Sequence, residues 1–600
     1  MVLIVEDTQR NVEKFAIFFK NMMYGEKMSE NLSVLGSARA GYKPKLPPSL
    51  RKGALKVIIK SGGATQSVSD QAQIKALFPN TYGVPILTFE SAEEKQTAGG
   101  PLNVGVVLSG GQAPGGHNVI AGIFDGIKAV IGGSKLYGFI GGPSGLVEGK
   151  YIEIDYLLMA KYRNTGGFDI VQSGRTKLES TEQFDKCIEV VKNLKLDAVI
   201  IIGGDDSNTN AAVLAEYFAA KKVGCAVIGC PKTIDGDLKN EYIEISFGFD
   251  TAVKTYSELI GNIERDSNSA QKYWHFIKLM GRSASHICLE AALQTHPNVC
   301  LISEEIKEKK MTLEQVVNSI TDVIISRSAN KKKFGVALIP EGLIEFIPEF
   351  GTLISELNDA LVHHEAEIKD LIQKDIESRA ATHGKVEIKE ASKAADMVEV
   401  ACRHISDASA KLLKNLPEDI QLQLMMDRDP HGNVQVSLIG TEKLLIEMVT
   451  KELELRNFKG KFATQNHFFG YEGRCAAPSN FDADYCYSLG YAASVLVLHR
   501  KTGYMTSIRN LTAGFENWVA GGVPITMMMN VERRHGKDKP VIQKALVDLN
   551  GKPFKYFVEH RNAWAKGEEY LYPGPIQYFG PTEVCDVTNY TLLLEHDALK

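Results

Sequence analysis

Two acid-bearing turns, each delivered by a buried apolar run, constrain this chain more than any other feature. Cys225 to Cys230 reads as a buried strand and hands over to Pro231-Lys232-Thr233-Ile234-Asp235-Gly236-Asp237-Leu238-Lys239-Asn240. Leu196 to Ile202 reads as another, ending in Gly203-Gly204-Asp205-Asp206-Ser207 with a helix opening at Asn208. Short apolar runs without alternation are strands covered on both faces. Open α/β sheets bind ligands beyond the carboxyl ends of such strands. Carboxylates, a hydroxyl and an ammonium gathered there suit phosphoryl transfer assisted by a metal ion.

The same alternation runs through much of the chain. Val104 to Leu108, Leu136 to Ile140, Phe276 to Met280 and Gly335 to Ile339 read as further strands, with helical stretches such as His117 to Val130 between them. This predicts an α/β fold with parallel-rich sheets. A length of 600 residues exceeds one core. The expected division is an N-terminal extension over 1–95, one α/β domain over 96–246 plus about 473–530, a second over 247–350 plus about 433–472, a helical insertion over 351–432 and a C-terminal extension over 531–600. Strands are expected to resume at Asn433 to Leu438, and Lys43 to Pro48 reads as an extended, linker-like break. A net charge of -5 gives no basic surplus for nucleic acid. Nine scattered cysteines without a CxxC pair argue against structural zinc and for a reducing, cytoplasmic setting. No apolar run is long enough for a membrane span.

Other motifs add chemistry. Ser109-Gly110-Gly111-Gln112-Ala113-Pro114-Gly115-Gly116 joins a strand to a helix, and glycines with a helix N-terminus behind them suit a phosphate. A carboxylate at a strand end, such as Asp205, can hold Mg²⁺. Asp235 and Asp237 suit proton removal from an acceptor hydroxyl, although either alone could be an Asx-turn. Met280-Gly281-Arg282 places a guanidinium at a strand end, where it can spread transition-state charge or form an ordinary salt bridge. Glu341 in Pro340-Glu341-Gly342, Arg175 in Ser173-Gly174-Arg175 and the run Tyr471-Glu472-Gly473-Arg474 offer hydroxyl and phosphate contacts with the same ambiguity.

Taken in order, GGQAPGGHN, SGR, GGDDS, PKTIDGD, MGR, PEG and GYEGR resemble the 6-phosphofructokinases, and more narrowly their long, pyrophosphate-dependent type. The match runs from about Val104 to Met529. The resemblance implies transfer of a phosphoryl group from pyrophosphate to fructose 6-phosphate, reversibly and with Mg²⁺, in a family with allosteric members. It implies that Asp235 is the base, Thr233 touches the moving phosphoryl group, Asp205 serves Mg²⁺ and Gly110 cradles the donor. Arg282 stabilises the transition state. Ile234, Met280, Gly281 and Glu341 line the sugar, and Tyr471, Glu472, Gly473 and Arg474 hold its phosphate. Lys272 and Tyr273 stand where relatives reach across a subunit boundary, which implies a homodimer or homotetramer.

Two residues bear on the donor. ATP-using relatives carry glycine at the positions of Asp206 and Lys232. A carboxylate about 4 Å from a nucleotide α-phosphate costs about 4 kcal/mol at an effective dielectric near 20. Lys232 adds a compact cation for a small donor. The rival readings are an ATP-dependent phosphofructokinase, a regulatory subunit without catalysis and a simple nucleotide-binding module. Asp205, Asp235 and Arg282 are all present, which argues against a subunit that has lost its chemistry.

Overall fold

The computed structural model describes residues 32–95, 100–130, 132–363, 398–425, 439–534 and 537–599. Its larger sheet holds, in chain order, β1 (Val57–Ala64), β2 (Pro85–Ser91), β3 (Asn103–Leu108), β4 (Lys135–Phe139), β5 (Tyr151–Glu153), β6 (Ala198–Gly203), β7 (Ala226–Pro231), β12 (Tyr504–Arg509) and β13 (Val519–Pro524). The smaller one holds β8 (Trp274–Leu279), β9 (Val299–Cys300), β10 (Gly335–Pro340) and β11 (Thr464–Phe469). A hairpin of β14 (Met529–Arg534) and β15 (Lys537–Ile542) stands apart from both.

The larger sheet has the order β1-β2-β13-β12-β7-β6-β3-β4-β5. Its centre, β12-β7-β6-β3-β4, is parallel, and antiparallel strands close both edges. The smaller sheet, β11-β8-β10-β9, is parallel throughout. β6, β7, β8 and β10 are buried along their whole length. That is why β6, β7 and β10 run apolar without alternation, whereas β8 also buries His275 and Lys278. The α/β architecture expected from the alternation is present. Residues assigned to an N-terminal extension supply β1 and β2, so this stretch is partly built into the larger sheet.

Two sequence expectations need correction. The helix after Gly204 spans Asp205–Ala220 and does not wait for Asn208. Asp205 and Asp206 therefore lie in its first turn, where the positive end of the helix dipole favours carboxylates. The stretch from Lys43 is no free linker. Asp484 accepts from Tyr42 Oη at 2.9 Å and from the Lys45 backbone at 2.8 Å, and Lys45 Nζ meets Asp586 at 2.5 Å. Within the expected insertion, helices Pro348–His363, Asp407–Asn415 and Glu418–Met425 are present. The strand expected over 433–438 lies outside the described residues. All nine cysteines are free thiols. No helix among the described residues is long and apolar enough to cross a membrane.

The larger sheet rests on two helices in backbone contact, Gly116–Val130 and Asn480–Leu498. A Cβ on Gly122 would sit 2.1 Å from Tyr487 O, and one on Gly490 would sit 2.0 Å from Val119 O. Neither obstacle is a movable side chain, so the helices must separate to admit a methyl group. Gly122→Ala is expected to lower the thermal unfolding midpoint, since overpacking of a tight core costs about 1–3 kcal/mol. A midpoint equal to the parent's would show that the two helices are not locked.

Candidate active site between the two sheets

Parallel register aligns the functional turns. Leu108 pairs with Ile202, and Gly203 with Pro231, so the turns after β3, β6 and β7 leave one edge of the larger sheet. In the smaller sheet Leu279 pairs with both Pro340 and Phe469, which places Met280, Glu341 and Gly470 side by side. The two edges meet at Arg474, on the short helix Tyr471–Cys475. Its Nη1 donates to Gln112 O at 3.1 Å, its Nε to Met280 Sδ at 2.8 Å, and its Nη2 lies 3.9 Å from Asp235 Oδ1. One guanidinium thus ties three of the motifs together.

On the donor side, Ser109 N–H donates to Ile202 O and Gly110 N–H to Gly174 O. Gly110 has φ +83°, and a Cβ there would lie 3.3 Å from Lys232 Nζ. The glycine therefore supplies both the turn and room for the ammonium. A Cβ on Gly111 would meet Arg474 Nη1 at 3.0 Å and Arg175 Nη2 at 3.6 Å, so Arg175 also borders this loop. Lys232 is buried, and burial pushes its ammonium down to about 8. Arg474 adds to that fall, while Asp235 and Asp205 oppose it.

The acids crowd together. Asp237 is buried, and burial, then Asp235 and Asp205, push its carboxyl up. Asp235 Oδ1 is buried without a hydrogen-bond partner among the described residues. The Asp235 backbone N–H donates to Thr233 Oγ1 at 3.0 Å, which shapes the turn. Asp206 is exposed, with Lys177 Nζ at 3.9 Å. Asp205 Oδ2 and Asp237 Oδ2 lie 3.5 and 3.9 Å from one atom, Lys544 Nζ, and so face a common point. Hard oxygen donors of this kind fit Mg²⁺. No group of three or more His, Cys, Asp or Glu able to hold a metal occurs among the described residues. Such a sparse set suits an ion that keeps water and phosphate oxygens as its other ligands.

On the opposite side, Gly281 N–H donates to Glu341 Oε2 at 3.0 Å, and burial raises the Glu341 carboxyl. A Cβ on Gly342 would fall 1.9 Å from Arg282 O, so the PEG turn must be glycine to pass beneath the MGR turn. Arg282 is exposed and acts electrostatically on Glu345. Tyr471 is exposed. Glu472 turns back to accept from Gly470 N–H at 3.1 Å, a local structural contact. Gly473 leaves room for Tyr256, whose hydroxyl donates to Gly470 O at 2.5 Å. Ile234, expected to line the sugar, is fully buried and offers no exposed surface to a ligand. Lys272, exposed, and Tyr273 precede β8, at the opposite end from Met280. Six strand residues span about 20 Å, so these two side chains stand far from their own chain's turns.

Sequence reasoning missed Lys177 and Lys544. Lys177 is two residues beyond the SGR motif. Lys544 follows a hairpin strand more than 300 residues from Asp237, with no glycine turn to mark it.

Burial of Lys232 carries a stability cost with a definite sign. Its folded value, about 8, lies below the ordinary lysine value of 10.5. The cost is full below pH 8 and is relieved as pH rises toward 10.5, because the unfolded chain then binds more protons. Lys232→Met is expected to raise the thermal midpoint at pH 7, with the gap to the parent closing between pH 8 and pH 10.5. A lower midpoint for the variant at pH 7 would show that the ammonium is net stabilising.

Comparison with known proteins matches the sequence of this chain to one family. Residues 103–405 match the family model described as Phosphofructokinase. A pyrophosphate–fructose 6-phosphate 1-phosphotransferase of Porphyromonas gingivalis is 55% identical over 567 residues, covering 94% of this chain and 99% of its own. The enzyme of that name from Treponema pallidum is 52% identical over 581 residues, covering 95% and 98%. The one from Entamoeba histolytica is 51% identical over 567 residues, covering 94% and 100%. Identity of this order over nearly the whole chain, with the turns converging on one cleft, places the chain in the phosphofructokinase family.

Proposed function

We propose that the chain is a diphosphate–fructose-6-phosphate 1-phosphotransferase. It moves a phosphoryl group from pyrophosphate to the C1 hydroxyl of fructose 6-phosphate, giving fructose 1,6-bisphosphate and phosphate. The reaction is reversible, serves glycolysis and gluconeogenesis, and takes place in the cytoplasm. The observation that carries this reading is the buried Lys232 ammonium against Gly110 of the donor loop. A compact cation fixed there suits a small, highly charged donor. Asp206, in the first turn of its helix, adds a carboxylate that repels a nucleotide's α-phosphate. An ATP-dependent reading has no such support.

The geometry supports the following roles. Asp235 Oδ1, buried and without a hydrogen bond, accepts the C1 hydroxyl proton. As the bond from the sugar oxygen to phosphorus forms, the bond from phosphorus to the leaving phosphate breaks. Lys232 and Arg175 neutralise the donor, and Thr233 contacts the moving group. Arg282 spreads transition-state charge once substrates are in place. Glu341, held by Gly281 N–H, orients sugar hydroxyls. Tyr471 and Arg474 hold the 6-phosphate. Asp205, with Asp237 beside it, would hold Mg²⁺, which when bound offsets phosphate charge. Lys272 and Tyr273, at the far end of β8, serve the sugar phosphate in a neighbouring subunit, in a homodimer or homotetramer.

Assay of the purified protein with pyrophosphate and with ATP tests the donor. Turnover with pyrophosphate and little or none with ATP is expected; the reverse contradicts the reading. Asp235→Ser keeps a polar turn but cannot take the proton. Its kcat is expected to fall at least about a hundredfold, with KM for fructose 6-phosphate nearly unchanged. A variant that keeps most of its kcat removes Asp235 from the role of base.

A further inference from the structure

The segment that follows β15 is fastened across both halves of the cleft. Ile542 N–H donates to Thr209 Oγ1 at 3.2 Å, on the helix that begins with Asp205. Ala545 N–H donates to Asp237 O at 2.7 Å, and His286 Nε2–H to Ala545 O at 2.9 Å. Val547 N–H donates to Glu304 Oε1 at 3.1 Å, and the same oxygen accepts from Ser285 N–H at 3.0 Å. Residues on both sides of Lys544 are therefore pinned to the catalytic turn and to the turn after β8.

This fastening aims one side chain into the cleft. Lys544 Nζ donates to Ser283 Oγ at 2.7 Å, next to Arg282, and lies 3.5 Å from Asp205 and 3.9 Å from Asp237. Neither carboxylate distance is that of a close hydrogen bond, so the ammonium keeps donors to spare. A lysine that served only to hold the fold together would close onto one acid. This one sits among groups that the reaction itself uses.

We propose that Lys544 is a donor-binding residue: its ammonium grips pyrophosphate from the Ser283 side, as Lys232 does from the Gly110 loop. The inference rests on the pyrophosphate reading above. Ser283 holds Nζ in place until the donor arrives. The hairpin of β14 and β15 then has a functional purpose, because it delivers this cation from the C-terminal part of the chain to Asp205 and Asp237, over 300 positions earlier.

Calorimetric binding of imidodiphosphate, a non-hydrolysable pyrophosphate analogue, in the presence of Mg²⁺ tests this without turnover. Loss of one charge-assisted contact should weaken binding to Lys544→Met by about tenfold to a hundredfold. Fructose 6-phosphate binding should stay within about twofold. Equal analogue affinity in parent and variant overturns the proposal and leaves Lys544 as a partner of the acids alone. If the parent itself does not bind the analogue, the pyrophosphate reading fails, and this inference with it. Amine labelling of the parent, read by mass spectrometry, does not depend on the variant's folding. Imidodiphosphate with Mg²⁺ should protect Lys544 from modification, and fructose 6-phosphate alone should not. An unprotected Lys544 contradicts the proposal.

Discussion

Four carboxylates and four cations share the cleft between the sheets, and each set acts on the other. Asp205, Asp206, Asp235 and Asp237 act on Lys544, and Asp205 and Asp235 on Lys232. Arg474 and Arg175 complete the positive set. Burial alone lowers the Lys232 ammonium and raises the Asp237 carboxyl. For Lys544, burial pulls the same way as for Lys232, but the surrounding acids outweigh it and hold the charge on. The folds on either side serve to keep these charges within a few ångströms.

That placement follows from the parallel sheets. Three turns leave one edge of the larger sheet and three leave one edge of the smaller, so functional residues far apart in sequence share a cleft. Arg474 spans the gap, which makes its hydrogen bonds to Gln112 O and Met280 Sδ as important as its charge. The helix opening at Asp205 adds a dipole that favours the acids of its first turn.

Much of this could be read in the sequence, because buried parallel strands write themselves as unbroken apolar runs and their ends carry glycine and acid. β3, β6, β7 and β10 announce themselves in that way, and β8 does so through Phe276 and Ile277 although Lys278 interrupts it. β1 and β2 do not: they carry exposed residues at one margin of the sheet, β2 joining it by antiparallel pairing with β13 and β1 pairing only with β2. Lys544 escaped for a related reason. It follows a hairpin outside both sheets, so the rule that ligands gather at parallel strand ends does not point to it. The helix start was misplaced because two acids read equally well as a loop before the helix and as its first turn.

Selection of the donor by charge at Asp206 and Lys232, as proposed above, is tested by kcat/KM for pyrophosphate and for ATP in the parent, Asp206→Gly, Lys232→Gly and the double variant. Asp206→Gly is expected to gain ATP activity and lose pyrophosphate activity, Lys232→Gly mainly to lower kcat with pyrophosphate, and the double variant to shift furthest toward ATP. An Asp206→Gly protein with no higher preference for ATP than the parent would contradict it.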